Sequence, residues 1–256
     1  MCQLLGMNAN TPTDIVFSFT GFSTRAEEHK DGFGIAFFEG NGVRVFVDPQ
    51  SARTSPVADM VRRFPIRSDN VIAHIRKATQ GRVALENTHP FQRELWGRYW
   101  VFAHNGDLKR YNPRLHSAFR PVGGTDSELA FCWLMQELSK AHATVPAIPE
   151  LTATLRELVP RIASHGTFNF MLSNGEALWA HCSSRLTWVV RQHPFGQARL
   201  QDDDISVNFA ELTTPQDRVA IVVTEPLTRD ETWTEFAPGE LKVFAGGAPL
   251  NEERDR

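Results

Sequence analysis

Met1-Cys2-Gln3-Leu4-Leu5-Gly6-Met7-Asn8 opens the chain with a thiol directly behind the initiator methionine. The run from Cys2 to Met7 is mainly apolar and reads as a short strand entering a core. A thiol is the best side-chain nucleophile, but at neutral pH it is mostly protonated and needs a base. At a chain terminus the α-amine of the same residue is such a base, because its pKa of about 7.7–8 suits proton transfer near neutrality. Initiator methionine is normally trimmed before a small residue, so the active form is expected to begin at Cys2. The competing reading is a small buried hydrophobe in the first strand. Later segments decide between the two.

Outward from that strand, an apolar segment after Thr13 to Phe22 reads as helical. Phe33 to Phe38 and Val43 to Val47 flank Gly40-Asn41-Gly42, a hairpin signal. Val71 to Arg76 and Tyr99 to His104 read as strands. Thr125 to His142 is a helix whose Thr125 and Glu128 have capping-box spacing. Leu151, Leu155, Leu158 and Ile162 form a second helical stripe, interrupted by Pro160. Phe168 to Ser173 and Glu176 to His181 flank Asn174-Gly175, and Leu186 to Val190 and Val219 to Thr224 follow as strands. Strands surrounding a helical pair predict an α+β protein with sheet packed between helical layers.

Composition narrows the function. With 256 residues the chain can bury a large core. A net charge of −3 with scattered Lys and Arg argues against a nucleic-acid partner. No apolar run approaches the roughly 20 residues of a membrane span, and the first residues lack the basic and apolar regions of a secretory signal. Cys2, Cys132 and Cys182 cannot all pair and show no metal-like spacing, which fits reduced thiols in a cytoplasm. Cys132 and Cys182 read as core residues. With no repeat, low-complexity tract or long linker, residues 1–256 are expected to form one domain.

Four segments carry the candidate chemistry. His29-Lys30-Asp31-Gly32-Phe33-Gly34 puts glycines at a strand start, either a simple turn or a close backbone approach. His74-Ile75-Arg76-Lys77-Ala78-Thr79-Gln80-Gly81 ends a strand on Arg76, either a surface arginine or a clamp for a carboxylate. Asn105-Gly106 has the form of a hairpin turn, yet Asp107-Leu108-Lys109-Arg110 after it does not read as a strand. An Asn amide beside a Gly N–H would make a two-donor oxyanion hole. Asp126 stands in the first turn of a helix, where it either compensates the helix dipole or faces a substrate ammonium.

Together and in this order, these segments resemble the class II glutamine amidotransferases, which are N-terminal-nucleophile (Ntn) hydrolases. The motif-level match runs from Cys2 to about Asp126. Thr224-Glu225-Pro226-Leu227-Thr228 and Pro238-Gly239-Glu240 are similar to the stand-alone, YafJ-type branch, related to γ-glutamyl hydrolases of glutathione and ergothioneine metabolism. The resemblance implies a four-layer α/β/β/α sandwich. It implies Cys2 as nucleophile, with its amine as base, and Asn105 and Gly106 as the oxyanion hole. Arg76, assisted by Thr79, would hold the glutamine α-carboxylate and Asp126 the α-ammonium. His89, in Asn87-Thr88-His89-Pro90-Phe91, matches a pocket-lining loop. Neither metal nor organic cofactor is required.

Longer relatives carry an Arg-Gly-Pro-Asp-like stretch at Lys30-Asp31-Gly32 and a His at Gln80, and nothing after the glutamine-site motifs here reads as an acceptor domain. The expected reaction is therefore hydrolysis of glutamine or a γ-glutamyl amide. Alternatives are a glutaminase subunit passing ammonia to a separate synthase or helper, a bile-salt or penicillin-type hydrolase, and a non-catalytic glutamine-sensing module.

Overall fold

The computed structural model describes residues 2–25, 31–64, 66–77, 82–116 and 118–250. Two antiparallel sheets stack face to face, each covered on its outer side by helices. The first half supplies β1 (Gln3–Asp14), α1 (Val16–Thr24), β2 (Phe33–Glu39), β3 (Gly42–Asp48), α2 (Pro56–Arg63), β4 (Arg67–Ile75), β5 (Phe91–Leu95) and β6 (Arg98–Leu108). Next come α3 (Asp126–Ala141), α4 (Ile148–Ala163), β7 (Gly166–Ser173), β8 (Ala177–His181) and β9 (Thr187–Gln192). The remainder is β10 (Gln197–Arg199), β11 (Ser206–Asn208), β12 (Arg218–Val223), β13 (Thr234–Glu235), β14 (Leu241–Ala245) and β15 (Ala248–Pro249).

One sheet runs β13-β9-β12-β1-β4-β2-β3 and the other β15-β14-β8-β7-β6-β5, with β10 and β11 as a separate ribbon. Strand periodicity sorts the side chains into three cores. Leu5, Met7, Ile35 and Phe37 point outward from the first sheet and pack with Phe19 and Phe22 of α1 and Val61 of α2. Phe102, Phe168 and Phe170 point outward from the second and pack with Phe131 and Leu134 of α3 and Leu151 and Leu155 of α4. Between the sheets lie Leu4, Ala36, Ile72, Ala103, Met171 and Leu178. Small residues let the sheets approach, and a Cβ at Gly6 would sit 2.8 Å from Leu178 and Met171 opposite. This is the expected four-layer α/β/β/α sandwich.

Local expectations fared unevenly. The 40–42 hairpin forms, with Glu39 paired to Gly42. Thr125 caps α3 by accepting from the Glu128 N–H, but the Glu128 carboxylate turns to Val122 N, Gly123 N and Arg93 instead of completing the box. Pro160 does not interrupt α4, which continues to Ala163, so the proline is absorbed in the last turn. The largest correction concerns Asn105-Gly106, which is neither a turn nor the end of a strand. β6 continues through both to Leu108, paired with β7. No helix among the described residues is long and apolar enough to cross a membrane.

Candidate active site

Cys2 precedes the central strand β1, and the register Gln3↔Ile75 brings it beside the end of β4. Its Sγ accepts from the Lys77 N–H at 3.2 Å and donates to the Lys77 carbonyl at 3.3 Å. Burial pushes the thiol pKa up, while the Lys77 N–H and the Arg76 charge only partly offset this. The thiol is therefore held neutral, and its activation needs a base.

Arg76 follows β4 and is buried. Its N–H donates to the Gly32 carbonyl at 2.7 Å, its own carbonyl accepts from Asp31 N–H at 3.2 Å, and Nη1 reaches the Arg82 carbonyl at 3.2 Å. Burial lowers its pKa, with Cys2 and Asp31 opposing. The glycines before β2 do mark close approach: Gly32 has φ +117°, and a Cβ at Gly34 would lie 2.3 Å from the His89 carbonyl. His29 and Thr79 lie outside the described residues.

β6 brings the remaining groups together. Asn105 is buried, and its Nδ2 donates to the Cys2 carbonyl at 2.6 Å, which joins the two sheets at the nucleophile. One N–H of that amide is thus engaged, and the second has no partner among the described residues. At Gly106 a Cβ would fall 1.8 Å from the Thr167 carbonyl, so no side chain fits. Its register partner Phe168 directs its N–H to Ser183 Oγ and its carbonyl to His181 Nδ1, both on the β8 side. By the alternation of an antiparallel ladder, Gly106 N–H then faces away from β7. β5 has already ended there, since its first residue Phe91 pairs with Phe102. Two residues on, the Leu108 N–H points to the same side and donates to Asp126 Oδ2 at 2.8 Å. A cavity of about 360 Å³ has Leu108, Thr125 and Asp126 in its wall.

Several positioning residues escaped the sequence reading. Asn169 Nδ2 donates to the Asn105 carbonyl at 3.0 Å and to Ser184 Oγ, while its Oδ1 accepts from Ser183 and Ser184 N–H. Asn87 accepts from Gly124 N–H at 2.9 Å and donates to the Arg82 carbonyl, tying the loop after Arg76 to the start of α3. An Asn inside the apolar run Phe168-Asn169-Phe170 was a visible signal, because a buried amide requires partners. Asn87 lay within a quoted motif but had no partner assignable from sequence.

His89 is buried, with ring centroids 4.3 Å from His74 and 4.5 Å from Phe91. Neither ring nitrogen of His89 has a hydrogen-bond partner among the described residues. Burial, then the neighbouring His74, His104 and Arg76, push its pKa well below 6.5. His104 Nε2 meets the Thr167 carbonyl at 3.0 Å, which requires Nε2–H, so Nδ1 accepts from the Ser127 hydroxyl at 2.8 Å. Burial lowers the pKa of His104 despite Asp126, the Thr167 carbonyl and Asp107, and lowers that of His181 despite the Phe168 carbonyl.

These three imidazoles predict a pH dependence of stability. The unfolded chain protonates them below about pH 6.5, whereas the folded chain keeps them neutral there. The unfolded state binds more protons, so their stabilising effect is complete above about pH 6.5. It drains as pH falls toward the lowered folded values, by about 1.4 kcal/mol per pH unit for each imidazole. Thermal denaturation at about pH 7.5 and about pH 5.5 checks this, with a lower midpoint expected at the acid pH. Equal midpoints would contradict the buried neutral state.

Known proteins share both the sequence and the arrangement. The family described as glutamine amidotransferases class-II matches residues 1–256. A Haemophilus influenzae protein provisionally named glutamine amidotransferase is 51% identical over 255 residues, covering 98% of this chain and 87% of its own length. Escherichia coli YafJ, also a provisional glutamine amidotransferase by name, is 49% identical over 251 residues, covering 96% and 98%. A crystal structure described as a predicted glutamine amidotransferase from Pseudomonas aeruginosa superposes with TM-score 0.79 at 41% identity, covering 98% of this chain and all of its own. Glutamine phosphoribosylpyrophosphate amidotransferase from B. subtilis shares the fold, at TM-score 0.51 and 14% identity over 97% of this chain and 48% of its own.

Proposed function

The chain belongs to the class II glutamine amidotransferases, and from that premise we propose that it is a γ-glutamyl amidohydrolase acting through Cys2 once Met1 is removed. The observation that carries this reading is the side of β6 beyond β5, which no strand among the described residues covers. Gly106 N–H and the Leu108 N–H that holds Asp126 lie on one side of the strand, two residues apart. Two residues span roughly 6.8 Å, comparable with the separation of γ-carbonyl and α-ammonium in an extended glutamyl group. Cys2 adjoins that side of the strand, at Asn105.

In this mechanism the Cys2 α-amine takes the thiol proton as Sγ bonds to the γ-carbonyl carbon. The oxygen becomes an oxyanion held by the second Asn105 N–H and the Gly106 N–H. Its collapse breaks the C–N bond, and the Cys2 ammonium protonates the departing amine. Water then adds to the γ-glutamyl thioester, the C–S bond breaks, and glutamate and the thiol are restored. Asp126 binds the α-ammonium, and Arg76 with Thr79 binds the α-carboxylate. Neutral His89, packed on His74 and Phe91, lies close enough to Arg76 to feel its charge.

Arg76→Ala and Asp126→Ala are each expected to cost about 2–5 kcal/mol in kcat/KM, at least about thirtyfold, by leaving a substrate charge unpaired. The loss should sit mainly in KM. Steady-state kinetics check it, and wild-type activity in Asp126→Ala would return that carboxylate to compensating the helix dipole. The reaction class is tested by glutamate release from glutamine and from γ-glutamyl peptides, using purified protein. Peptide hydrolysis is the expected result. Cleavage of glutamine alone, and only with a synthase and its acceptor present, would establish the ammonia-donor reading instead.

A further inference from the structure

A cavity of about 540 Å³ lies between the loop after β6 and the helices α3 and α4. Arg110 and Arg114 enter its wall from the loop, Lys140 from α3 and Arg161 from α4. All four are exposed, so a ligand can reach them. Glu137 is the one carboxylate in that wall among the described residues, and Lys140 already pairs with it at 2.7 Å. Arg110, Arg114 and Arg161 have no ion pair among the described residues. Like charges gathered on a concave wall repel one another and focus a positive potential there. Glu137 registers that potential. Burial disfavours its charge, yet hydrogen bonds from Lys140 and Gln136 and the charges of Lys140 and Arg161 hold its carboxyl below the usual carboxylate range.

The cations are held in place. Buried Gln136 accepts from the His116 N–H and donates to the Arg114 carbonyl at 3.2 Å, which pins the far end of the loop. At the near end Lys109 N–H donates to the His165 carbonyl at 2.9 Å, and the Tyr111 and His165 rings meet at 5.1 Å. The Arg161 guanidinium lies 4.8 Å from the centre of the Trp133 ring, a contact that leaves its N–H donors to other partners. Arg110 itself has φ +56°, a left-handed backbone that residues other than glycine and asparagine adopt at a cost. An arginine standing where either of those would be relaxed points to a use for its side chain.

We propose that this cavity binds a small molecule carrying a phosphate group, at a site separate from Cys2, Asn105, Gly106 and Asp126, none of which lines it. A phosphate monoester brings about two negative charges and three acceptor oxygens. That matches a group of guanidinium forks which a single carboxylate leaves partly unused. Arg110, Tyr111 and Asn112 also line the cavity at Asp126, so the ligand sits one loop away from the proposed γ-glutamyl site.

The test is calorimetric titration of the full-length protein with pyrophosphate, with acetate and a short oligothymidylate as comparisons. Pyrophosphate is expected to bind, and acetate at equal concentration not to displace it. Arg110→Asn and Arg114→Ala are each expected to weaken pyrophosphate binding by about tenfold. Asparagine suits the left-handed backbone at position 110, so the melting temperature of that variant should not fall below that of the wild type. Arg98→Ala removes the same charge from the opposite end of β6, out of an exposed pair with Glu176, and should leave binding unchanged. Absence of pyrophosphate binding, displacement by acetate, equal loss in Arg98→Ala or no loss in the two loop variants overturns the proposal. So does tighter binding of the oligothymidylate, which would mark a nucleic-acid surface. Binding is read without turnover, so the result stands whether or not γ-glutamyl amides are hydrolysed.

Discussion

Cys2→Ala is expected to lower glutamate release by about 10⁶, the scale seen when a covalent nucleophile is removed and the rest of a site is left intact. Alanine is small enough for the initiator methionine still to be trimmed, so the variant keeps the terminal amine and loses only the sulfur. Cys2 belongs to none of the three cores: it is half-buried, and among the described residues its Sγ bonds to the Lys77 backbone. The melting temperature should therefore stay near that of the wild type while turnover disappears. Retained turnover would show that Cys2 is the small structural residue of the competing reading.

Asn105→Ala should lower kcat by about 10²–10³, the usual loss for one oxyanion donor. KM should change little, because the γ-carbonyl becomes an oxyanion only in the transition state. The side chain also donates to the Cys2 carbonyl, so misplacement of the nucleophile has to be separated from lost oxyanion stabilisation. Labelling of Cys2 by an alkylating reagent with no carbonyl does this: a displaced thiol would change its rate, whereas a missing oxyanion donor would not. A KM effect with unchanged kcat would contradict the assigned role.

Much of the site was readable because its residues stand where strand patterns end or break. Cys2 heads an apolar run, Arg76 follows the β-branched run of β4, and Asp126 follows a recognisable cap. Asn105-Gly106 was singled out because strand character breaks off after it, and that local reading was incomplete. The polar residues after it lack strand character, yet β6 runs on because β7, about 60 residues later, supplies the ladder. Such pairing is non-local and overrides local propensity. The same applies to the edge strands β13 and β15, each two residues long, which carry no periodicity to read. α2 escaped although its signals were present, with Ser55 capping and Pro56 at the first turn. Asn169 and Asn87 act only through contacts that the fold creates, so their places in the site were legible only in three dimensions.

The central claim is that Cys2, as the first residue of the active chain, is the nucleophile. Intact-mass and peptide analysis of an active preparation treated with a diazoketone analogue of glutamine tests it most directly. The account predicts a chain lacking Met1, one label per molecule on Cys2, and loss of turnover in proportion to labelling. An active preparation that retains Met1, or a label on Cys132 or Cys182 with Cys2 unmodified, would contradict it.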